Sequence, residues 1–266
     1  MCLSVVILAK DEEQNIADCI ATVEWAGRVV VLDSESTDRT REIAQRMGVT
    51  VHSHPFRNYA DQRNVALRMV DSDWVFFVDA DERATPELAA EVTEVIEDDS
   101  KAGWWVPRHN YIFGRVIRHA GWYPDYQLRL LRRGRARYDP ARPVHEVVIL
   151  DGEAGYLQHP LIHYNYRTLA EFRERQRRYT AYEAQALLDK GIRPRWLSLI
   201  LQPLREFRRR YLTLQGYRDG ARGLLLSLLM AWYTFRRYRL LCALWQAHGV
   251  SNQKKMLPNS DGSIKR

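Results

Sequence analysis

Residues 74–82 have the sequence WVFFVDADE, an unbroken apolar run that ends in three closely spaced carboxylates. Five consecutive apolar residues are typical of a central strand that is covered on both faces, as in a parallel sheet. The acidic side chains of Asp79, Asp81 and Glu82 then follow the carboxyl end of that strand. Because ligands of open α/β sheets bind beyond the carboxyl ends of the strands, this stretch predicts both a fold class and the position of a site.

The preceding residues alternate short apolar runs with helical patterns, which is the signature of βαβ units and a mainly parallel sheet. The predicted strands are LSVVILA at 3–9, RVVVLD at 28–33 and VTVHSH at 49–54. Helix starts are expected at Asp11, at Ser36 or Thr37, and at Thr85, where Pro86 follows as the first helical residue. The acids that follow the first two strands are therefore expected beside Asp79, although each taken alone is also an ordinary cap or turn residue.

The pattern changes after residue 103 to alternating strands such as YQLRLL at 126–131, which predicts an antiparallel extension. Thr168 and Glu171 form a capping box for a long helix, with Phe172, Tyr179 and Tyr182 on its expected buried side. We therefore expect a catalytic domain of residues 1–166, a helical region of residues 167–250 and a disordered polar tail of residues 251–266.

Charge is distributed unevenly along the chain. The first hundred residues hold 9 Lys and Arg against 21 Asp and Glu, whereas the rest holds 31 against 12. The simplest interpretation is an acidic half that holds a basic ligand or a metal, joined to a basic half that faces phosphates, a membrane or nucleic acid. The cysteines Cys2, Cys19 and Cys242 are too scattered for a disulfide framework, and no signal-peptide pattern opens the sequence, so a reducing cytoplasmic location is expected.

The segment from Trp196 to Gln246 joins apolar runs to arginine clusters and aromatic residues. Neither run reaches the roughly 18 to 20 residues that cross a bilayer. An interfacial helix on the inner face of the membrane is the favoured interpretation. The alternative is a pair of helices that pack on the catalytic domain or at a dimer interface.

Two carboxylates at positions i and i+2 of a strand end point to the same side, so Asp79 and Asp81 are predicted to hold one Mg²⁺ or Mn²⁺ ion. Glu82 is expected to add an acceptor nearby. Such an ion keeps positions open for phosphate oxygens. His163 is the histidine we select to complete its coordination, although a strand histidine more often forms hydrogen bonds within the fold.

Four segments resemble the family-2 glycosyltransferases of the GT-A fold: SVVILAKDEEQNI at 4–16, VVVLDSESTDRT at 29–40, RNVAL at 63–67 and DWVFFVDADE at 73–82. Three later segments are similar to the bacterial branch that includes lipopolysaccharide inner-core glucosyltransferases, namely GWWVPRHNYIFGRVIRHAGWYPDYQLRLLRRG at 103–134, VHEVV at 144–148 and LIHYNY at 161–166. The resemblance implies an α/β GT-A fold, Rossmann-like and mainly parallel, with an antiparallel extension and C-terminal helices.

The implied activity is a metal-dependent, inverting transfer of a hexose from a nucleotide-diphosphate sugar to a lipid-linked or lipopolysaccharide-core acceptor. Asp79 and Asp81 correspond to the metal-binding D-x-D pair of the family. The residues implied to bind the nucleotide sugar are Ala9, Asp11, Glu13, Asp33 and Arg63, with Asp33 accepting from the base and Arg63 near the diphosphate. Many relatives carry a second acid where this chain has Ser34, so the base is not assigned as uridine.

An inverting transfer needs a general base that removes the proton of the acceptor hydroxyl. Glu146 in VHEVV lies where such relatives often carry this acid. Asp125 is the rival, because it belongs to a loop with Trp122, Tyr123 and Tyr126, whose rings suit a sugar. An ordinary salt bridge with a nearby arginine is the alternative role for either acid.

Two other functions are weaker matches to the sequence. A sugar nucleotidyltransferase also uses paired acids and a metal, but LAKDEEQN at 8–15 lacks the glycine-rich phosphate loop that such enzymes have after the first strand. A nucleic-acid-binding protein would use the basic C-terminal half. The acidic N-terminal half opposes that alternative, so no nucleic-acid partner is expected.

Overall fold

A computed structural model describes residues 1–140 and 147–256, with side chains as far as 247. The chain divides into two compact units. The first comprises Met1–Arg118 and Trp122–Asn165, and the second comprises His119–Gly121 and Tyr166–Arg266. The sequence prediction had the division one residue later, between 166 and 167.

The first unit is built on a twisted sheet whose N-terminal half is parallel. The four strands are β1 (Leu3–Ala9), β2 (Val29–Asp33), β3 (Thr50–Ser53) and β4 (Trp74–Asp79), in the order β3-β2-β1-β4. Side chains of β4 alternate between two hydrophobic clusters, with Trp74, Phe76 and Val78 in one and Val75 and Phe77 in the other. Because both faces are covered, every residue of the run is apolar.

The sheet continues in the order β4-β8-β6-β12-β5, in which the β4–β8, β8–β6 and β12–β5 pairs are antiparallel. The strands are β5 (Glu82–Ala84), β6 (Lys101–Ile112), β8 (Asp125–Arg132) and β12 (Leu161–Tyr166). Two more strands pair with β6: β7 (Arg115–Val116) is antiparallel to it, and β11 (Glu153–Tyr156) is parallel to it. Strands β9 (Ala136–Tyr138) and β10 (Val148–Leu150) form a separate pair. A parallel sheet with an antiparallel extension and C-terminal helices was the predicted fold class, and it is confirmed.

Four helices accompany the parallel strands: α1 (Ile16–Ala21), α2 (Thr40–Arg46), α3 (Tyr59–Met69) and α4 (Pro86–Val95). Thr85 caps α4 as predicted, since its side chain accepts from the Leu88 amide at 3.1 Å. The predictions for α1 and α2 are wrong by several residues. Asn15 precedes α1 and Arg39 precedes α2, because the polar residues expected to cap these helices bond to each other instead.

The second unit is helical, with α5 (Leu169–Asp189), α6 (Ser198–Arg208) and α7 (Gly220–Met256). A π-helical turn, Arg209–Thr213, extends α6, and a 3₁₀ turn, Gly216–Asp219, precedes α7. Thr168 caps α5 as predicted. Helix α7 continues six residues beyond the predicted start of the tail at 251, and residues 257–266 lie outside the described part of the chain. Among the described helices, none has both the length and the apolarity needed to cross a bilayer.

Candidate active site

Three strand ends place the predicted acids at one edge of the sheet. Ala9, the last residue of β1, pairs with Asp33 at the end of β2. On the other side of β1, Leu8 pairs with Asp79 at the end of β4. The carboxyl ends of β2, β1 and β4 are therefore adjacent, as the sequence predicts for a site of an open α/β sheet.

The loops that follow β1 and β2 are bonded to each other. Asp11 has a φ of 53°, and its Oδ1 accepts from the Thr37 amide at 2.7 Å. The amide of Glu13 donates to Asp38 at 3.0 Å. A short carboxylate can stabilise the left-handed backbone locally, which accounts for Asp11 at the turn. Asp11 and Glu13 are both exposed at this edge.

Asp33 lies beneath these loops with a fully buried side chain. Its Oδ2 accepts from the Ser36 amide at 3.0 Å, and its Oδ1 accepts from the Ser36 hydroxyl. Ser36 Oγ also accepts from the Asp11 amide at 2.9 Å. Asp33 therefore fixes the loop that joins the two strand ends.

Asp79 has two arginine partners. Arg63 Nη2 from α3 lies 3.1 Å from Asp79 Oδ1, and Arg129 of β8 donates to both carboxylate oxygens. Burial raises the pKa of Asp79, but Arg129 and then Arg63 outweigh it and hold that pKa well below its usual range. The Arg63 guanidinium also lies 5.1 Å from the centroid of the Phe77 ring. Asp79 is ionised and already neutralised by these cations.

Glu82 extends this cluster of charges below the D-x-D turn. Its side chain is fully buried, and its Oε2 accepts from the Asp79 amide at 2.9 Å. Its Oε1 lies 3.1 Å from Arg108 of β6 and 3.2 Å from Arg129. Buried acids of this kind need paired cations. The Glu82 carboxylate therefore holds the turn through the Asp79 amide and through its two arginine partners.

Asp125, the rival candidate for the base, is held by four donor contacts. Its Oδ2 accepts from Arg108 Nε at 3.0 Å and Nη2 at 2.7 Å, and from Asn110 at 3.0 Å. Its Oδ1 accepts from Gln127 at 2.9 Å. Burial raises the pKa of Asp125, but Arg108, Asn110 and Gln127 together lower it. A carboxylate so stabilised in its charged form is a weaker base than a free one.

Asn110 connects Asp125 to the second acid of the D-x-D pair. Its amide nitrogen donates to Asp125 and, at 2.9 Å, to the Trp122 carbonyl, so its oxygen faces His163 Nδ1 at 2.7 Å. His163 Nδ1 therefore carries a proton and donates it to Asn110. The other ring nitrogen, Nε2, lies 3.3 Å from Asp81 Oδ2.

The groups described so far form a buried charge network, made up of Asp79, Glu82, Asp125, Arg63, Arg108 and Arg129. Its ion pairs join three carboxylates to three guanidinium groups, so their formal charges cancel. Asp81 lies beside the network, has a side chain 17% exposed and faces the imidazole of His163. Of the two D-x-D acids, Asp79 is bonded to arginines, whereas Asp81 faces an imidazole.

Glu146 and His145 lie outside the described residues. Sequence reasoning missed Arg108, Asn110 and Arg129, which come from the antiparallel extension. The sequence did contain one indication of the role of Arg129, because this arginine stands between Leu128 and Leu130, which are both buried in β8. Among the described residues, no group of three or more His, Cys, Asp and Glu side chains is arranged to hold a metal ion.

Comparison with known proteins gives the family of this chain. The family model described as glycosyl transferase family 2 matches residues 4–164. The lipopolysaccharide core biosynthesis glycosyltransferase LpsC of Rhizobium meliloti (strain 1021) is 30% identical over 98% of this chain and 97% of its own. An uncharacterized glycosyltransferase of Rickettsia typhi (strain ATCC VR-144 / Wilmington) is 40% identical, but over 34% of this chain and 31% of its own.

Solved structures give more distant matches. Glucosyl-3-phosphoglycerate synthase from Mycobacterium tuberculosis, crystallised with Mn²⁺, uridine diphosphate and glucosyl-3-phosphoglycerate, has a TM-score of 0.36 and 24% identity, covering 41% of this chain and 44% of its own. TarS of S. aureus has a TM-score of 0.43 and 16% identity, covering 69% and 40%. The family match over more than half of the chain and the full-length likeness to LpsC decide the identity: this protein belongs to glycosyl transferase family 2 and is a glycosyltransferase.

Proposed function

We propose that this enzyme moves a hexose, with inversion, from a nucleotide-diphosphate sugar to a glycolipid acceptor of the lipopolysaccharide core or another lipid-linked glycan. The observation that carries the proposal is the edge where β2, β1 and β4 end, where Asp81 faces His163 and lies beside a charge network of arginines and acids. The full-length similarity to LpsC supports the choice of acceptor class.

The nucleoside is proposed to bind at the bonded loops after β1 and β2. Asp11 and Glu13 present exposed carboxylates there, and Ala9 and Asp33 form the adjoining strand ends. Asp33 uses both oxygens on Ser36, so we assign it to shaping the loop. Its contact with the base and the placement of Arg63 near the diphosphate stay predictions from the family resemblance.

The residues at Asp81 fit a divalent cation. Asp81 supplies a carboxylate oxygen, and because Asn110 occupies His163 Nδ1, Nε2 is the ring nitrogen that would face a cation bound beside Asp81. Carboxylate and imidazole are both ligands of Mn²⁺, and Mg²⁺ accepts the carboxylate. Bound there, the ion would neutralise the charge that builds on the departing diphosphate. We assign the ion to Asp81 and His163, and Asp79 to orienting the turn through its arginines.

The acceptor hydroxyl must lose its proton as its oxygen attacks the anomeric carbon in line with the leaving diphosphate. We keep Glu146 as the proposed base, by its position in VHEVV. The contacts of Asp125 favour this choice, because four donor contacts stabilise its ionised form and lower its pKa. Asp125 is instead proposed to hold Arg108 and Asn110 beneath the site.

A lipid-linked acceptor places the reaction at a membrane surface. We propose that the enzyme works on the cytoplasmic face of the inner membrane, bound peripherally. The arginine-rich second unit supports this location, since anionic lipid headgroups attract basic segments.

A panel of nucleotide sugars tests the proposal directly. Each donor is incubated with the purified protein and Mn²⁺ or Mg²⁺, and both slow donor hydrolysis and the shift in melting temperature are recorded. A ligand that binds only the folded state raises its stability by an amount that grows with the ligand concentration relative to its Kd, so the true donor is expected to give both signals. A panel in which no nucleotide sugar protects or is hydrolysed would contradict the proposal.

A further inference from the structure

Helix α6 turns its apolar side chains outward. No residue of this helix is buried. Leu197, which directly precedes it, and Ile200, Leu201 and Leu204 within it are between 42% and 60% exposed. Their spacing places them on one face of the helix. The side chain of Glu206, in contrast, is only 17% exposed and bonds to Arg209 and Arg210. This is the reverse of the pattern that a water-facing helix has.

Helix α7 is apolar on two opposite sides. Leu226, Tyr233 and Leu241 are buried, as expected for packing within the second unit. The other side carries Leu224, Leu225, Leu228 and Trp232, which are between 38% and 54% exposed. The outer side of a water-exposed helix is normally polar, so a second apolar side facing away from the core indicates a further partner.

The same segment is strongly basic. From Trp196 to Ala247 the sequence contains nine arginines and two acidic residues. Both acids are occupied within the second unit: Glu206 bonds to its neighbouring arginines, and Asp219 lies 3.1 Å from His119 Nδ1. The exposed Arg205 and Arg208 stand at the C-terminal end of the apolar face of α6. The surface around the apolar residues therefore attracts anions.

We propose that the outward faces of α6 and α7 form a lipid-docking face that enters an anionic bilayer to headgroup depth. This face is defined by Leu197, Ile200, Leu201, Leu204, Leu224, Leu225, Leu228 and Trp232. Trp196 and Tyr217, 71% and 49% exposed, are amphipathic rings of the kind that settle at headgroup level. The inference deepens the peripheral location in the proposed function by naming the surface and its lipid chemistry.

Charge decides between a bilayer and a second copy of the chain. Two copies facing each other would bring the arginines of both together, and like charges oppose such a contact. Anionic lipid headgroups attract the same arginines instead of repelling them, and the apolar side chains are removed from water when they enter the bilayer. An interfacial orientation also agrees with the absence of a spanning helix among the described residues.

Co-sedimentation of the full-length protein with vesicles tests the face. Vesicles of phosphatidylglycerol mixed with phosphatidylcholine are compared with phosphatidylcholine alone, at low and high salt. Leu204→Glu and Leu228→Glu each place a charge in the face and are expected to lower the partition coefficient at least about tenfold. Tyr182→Glu, at a 61% exposed position of α5 outside the face, is the matched control and should bind like the unaltered protein.

Several outcomes overturn the inference. One is that the unaltered protein stays in the supernatant with anionic vesicles at low salt, and another is that Leu204→Glu binds as well as Tyr182→Glu. A third is a dimer in sedimentation velocity that Leu204→Glu dissociates while vesicles bind nothing. Thermal protection by nucleotide sugars, measured without vesicles, separates the two proposals, because failure of docking leaves that protection in place.

Discussion

Arg129 donates to both oxygens of Asp79 from the middle of strand β8, and the two side chains meet where the sheet changes from parallel to antiparallel. Glu82 shares the same guanidinium, so one arginine compensates two acids below the D-x-D turn. The antiparallel extension therefore does more than cover the edge of the sheet, because it supplies the cations that keep the turn in place.

Loss of this arginine should destabilise the fold. Among the described ion pairs, Arg129→Met leaves Glu82 paired only with Arg108 and Asp79 paired only with Arg63. Because two buried acids then lose a cationic partner, the free energy of unfolding should fall by about 3–5 kcal/mol. Urea unfolding measures the change. Arg132→Met on the same strand breaks a pair with the exposed Asp99 and should cost no more than about 1 kcal/mol. Equal losses for both variants would contradict the account.

Acidity should act on Asp125 in a defined direction. The pKa of Asp125 is lower in the folded protein than in the unfolded chain, where it is about 3.9. The ionised side chain therefore stabilises the fold at pH values above the unfolded pKa, and this stabilisation is lost as the pH falls through the folded pKa. Asp125→Asn should therefore be about 1–3 kcal/mol less stable at pH 7, and the difference should shrink below about pH 4. Urea unfolding across this pH range checks it.

Asp71→Asn is the control for that series, because the Asp71 side chain is 86% exposed. Its effect should stay within about 0.5 kcal/mol at every pH. A gap between Asp125→Asn and the unaltered protein that stays constant down to pH 3 would show that the charge of Asp125 is not what stabilises the fold.

Asn110 should set the affinity of the proposed cation through His163. Asn110→Ala removes the acceptor for His163 Nδ1, and outer hydrogen-bond partners of this kind typically change metal affinity by about 10–100-fold. Titration with Mn²⁺, monitored by electron paramagnetic resonance, measures the Mn²⁺ affinity of each variant without any turnover. Asn64→Ala, which removes another side-chain amide bonded to backbone, should leave Mn²⁺ affinity unchanged. The assignment fails if the two variants bind Mn²⁺ equally well.

Glu146→Gln tests the proposed base, since the amide keeps the size of the side chain but cannot take a proton. We expect kcat to fall by roughly 10² to 10⁴ while donor affinity persists. Glu153→Gln changes an exposed acid on β11 and should leave kcat unaltered. Near-normal turnover of Glu146→Gln would exclude Glu146 and return Asp125 to consideration.

The parallel half of the fold is predictable because its information is local. The apolar run at 74–78 predicts a strand that is covered on both faces, and the acids after it indicate where that strand ends. Thr85 with Pro86 gives the start of α4 for the same reason. The start of α1 is not predictable in this way, because Asp11 bonds to Thr37, 26 residues away.

The partners of the D-x-D acids depend on strand register, which the sequence does not display. Arg108 and Asn110 reach Asp125 only because β6 and β8 pair antiparallel with a bulge between Trp104 and Trp105. The buried side of α5 was also misjudged in part. Phe172 is buried as expected, but Tyr179 and Tyr182 are exposed. Gln176 and Thr180 lie on the buried side of α5 instead, where Gln176 donates to the Tyr166 hydroxyl and Thr180 donates to the Gln176 carbonyl.

The central claim is that Asp81, beside a neutral charge network, holds a divalent cation that in turn binds the diphosphate of the donor. The most direct test is the equilibrium affinity of the donor's nucleoside diphosphate for the unaltered protein and for Asp81→Asn, with and without Mn²⁺. We predict that Mn²⁺ tightens binding to the unaltered protein at least about tenfold and has little effect on Asp81→Asn. Equal affinity with and without Mn²⁺ in the unaltered protein, or an undiminished Mn²⁺ effect in Asp81→Asn, would contradict the account.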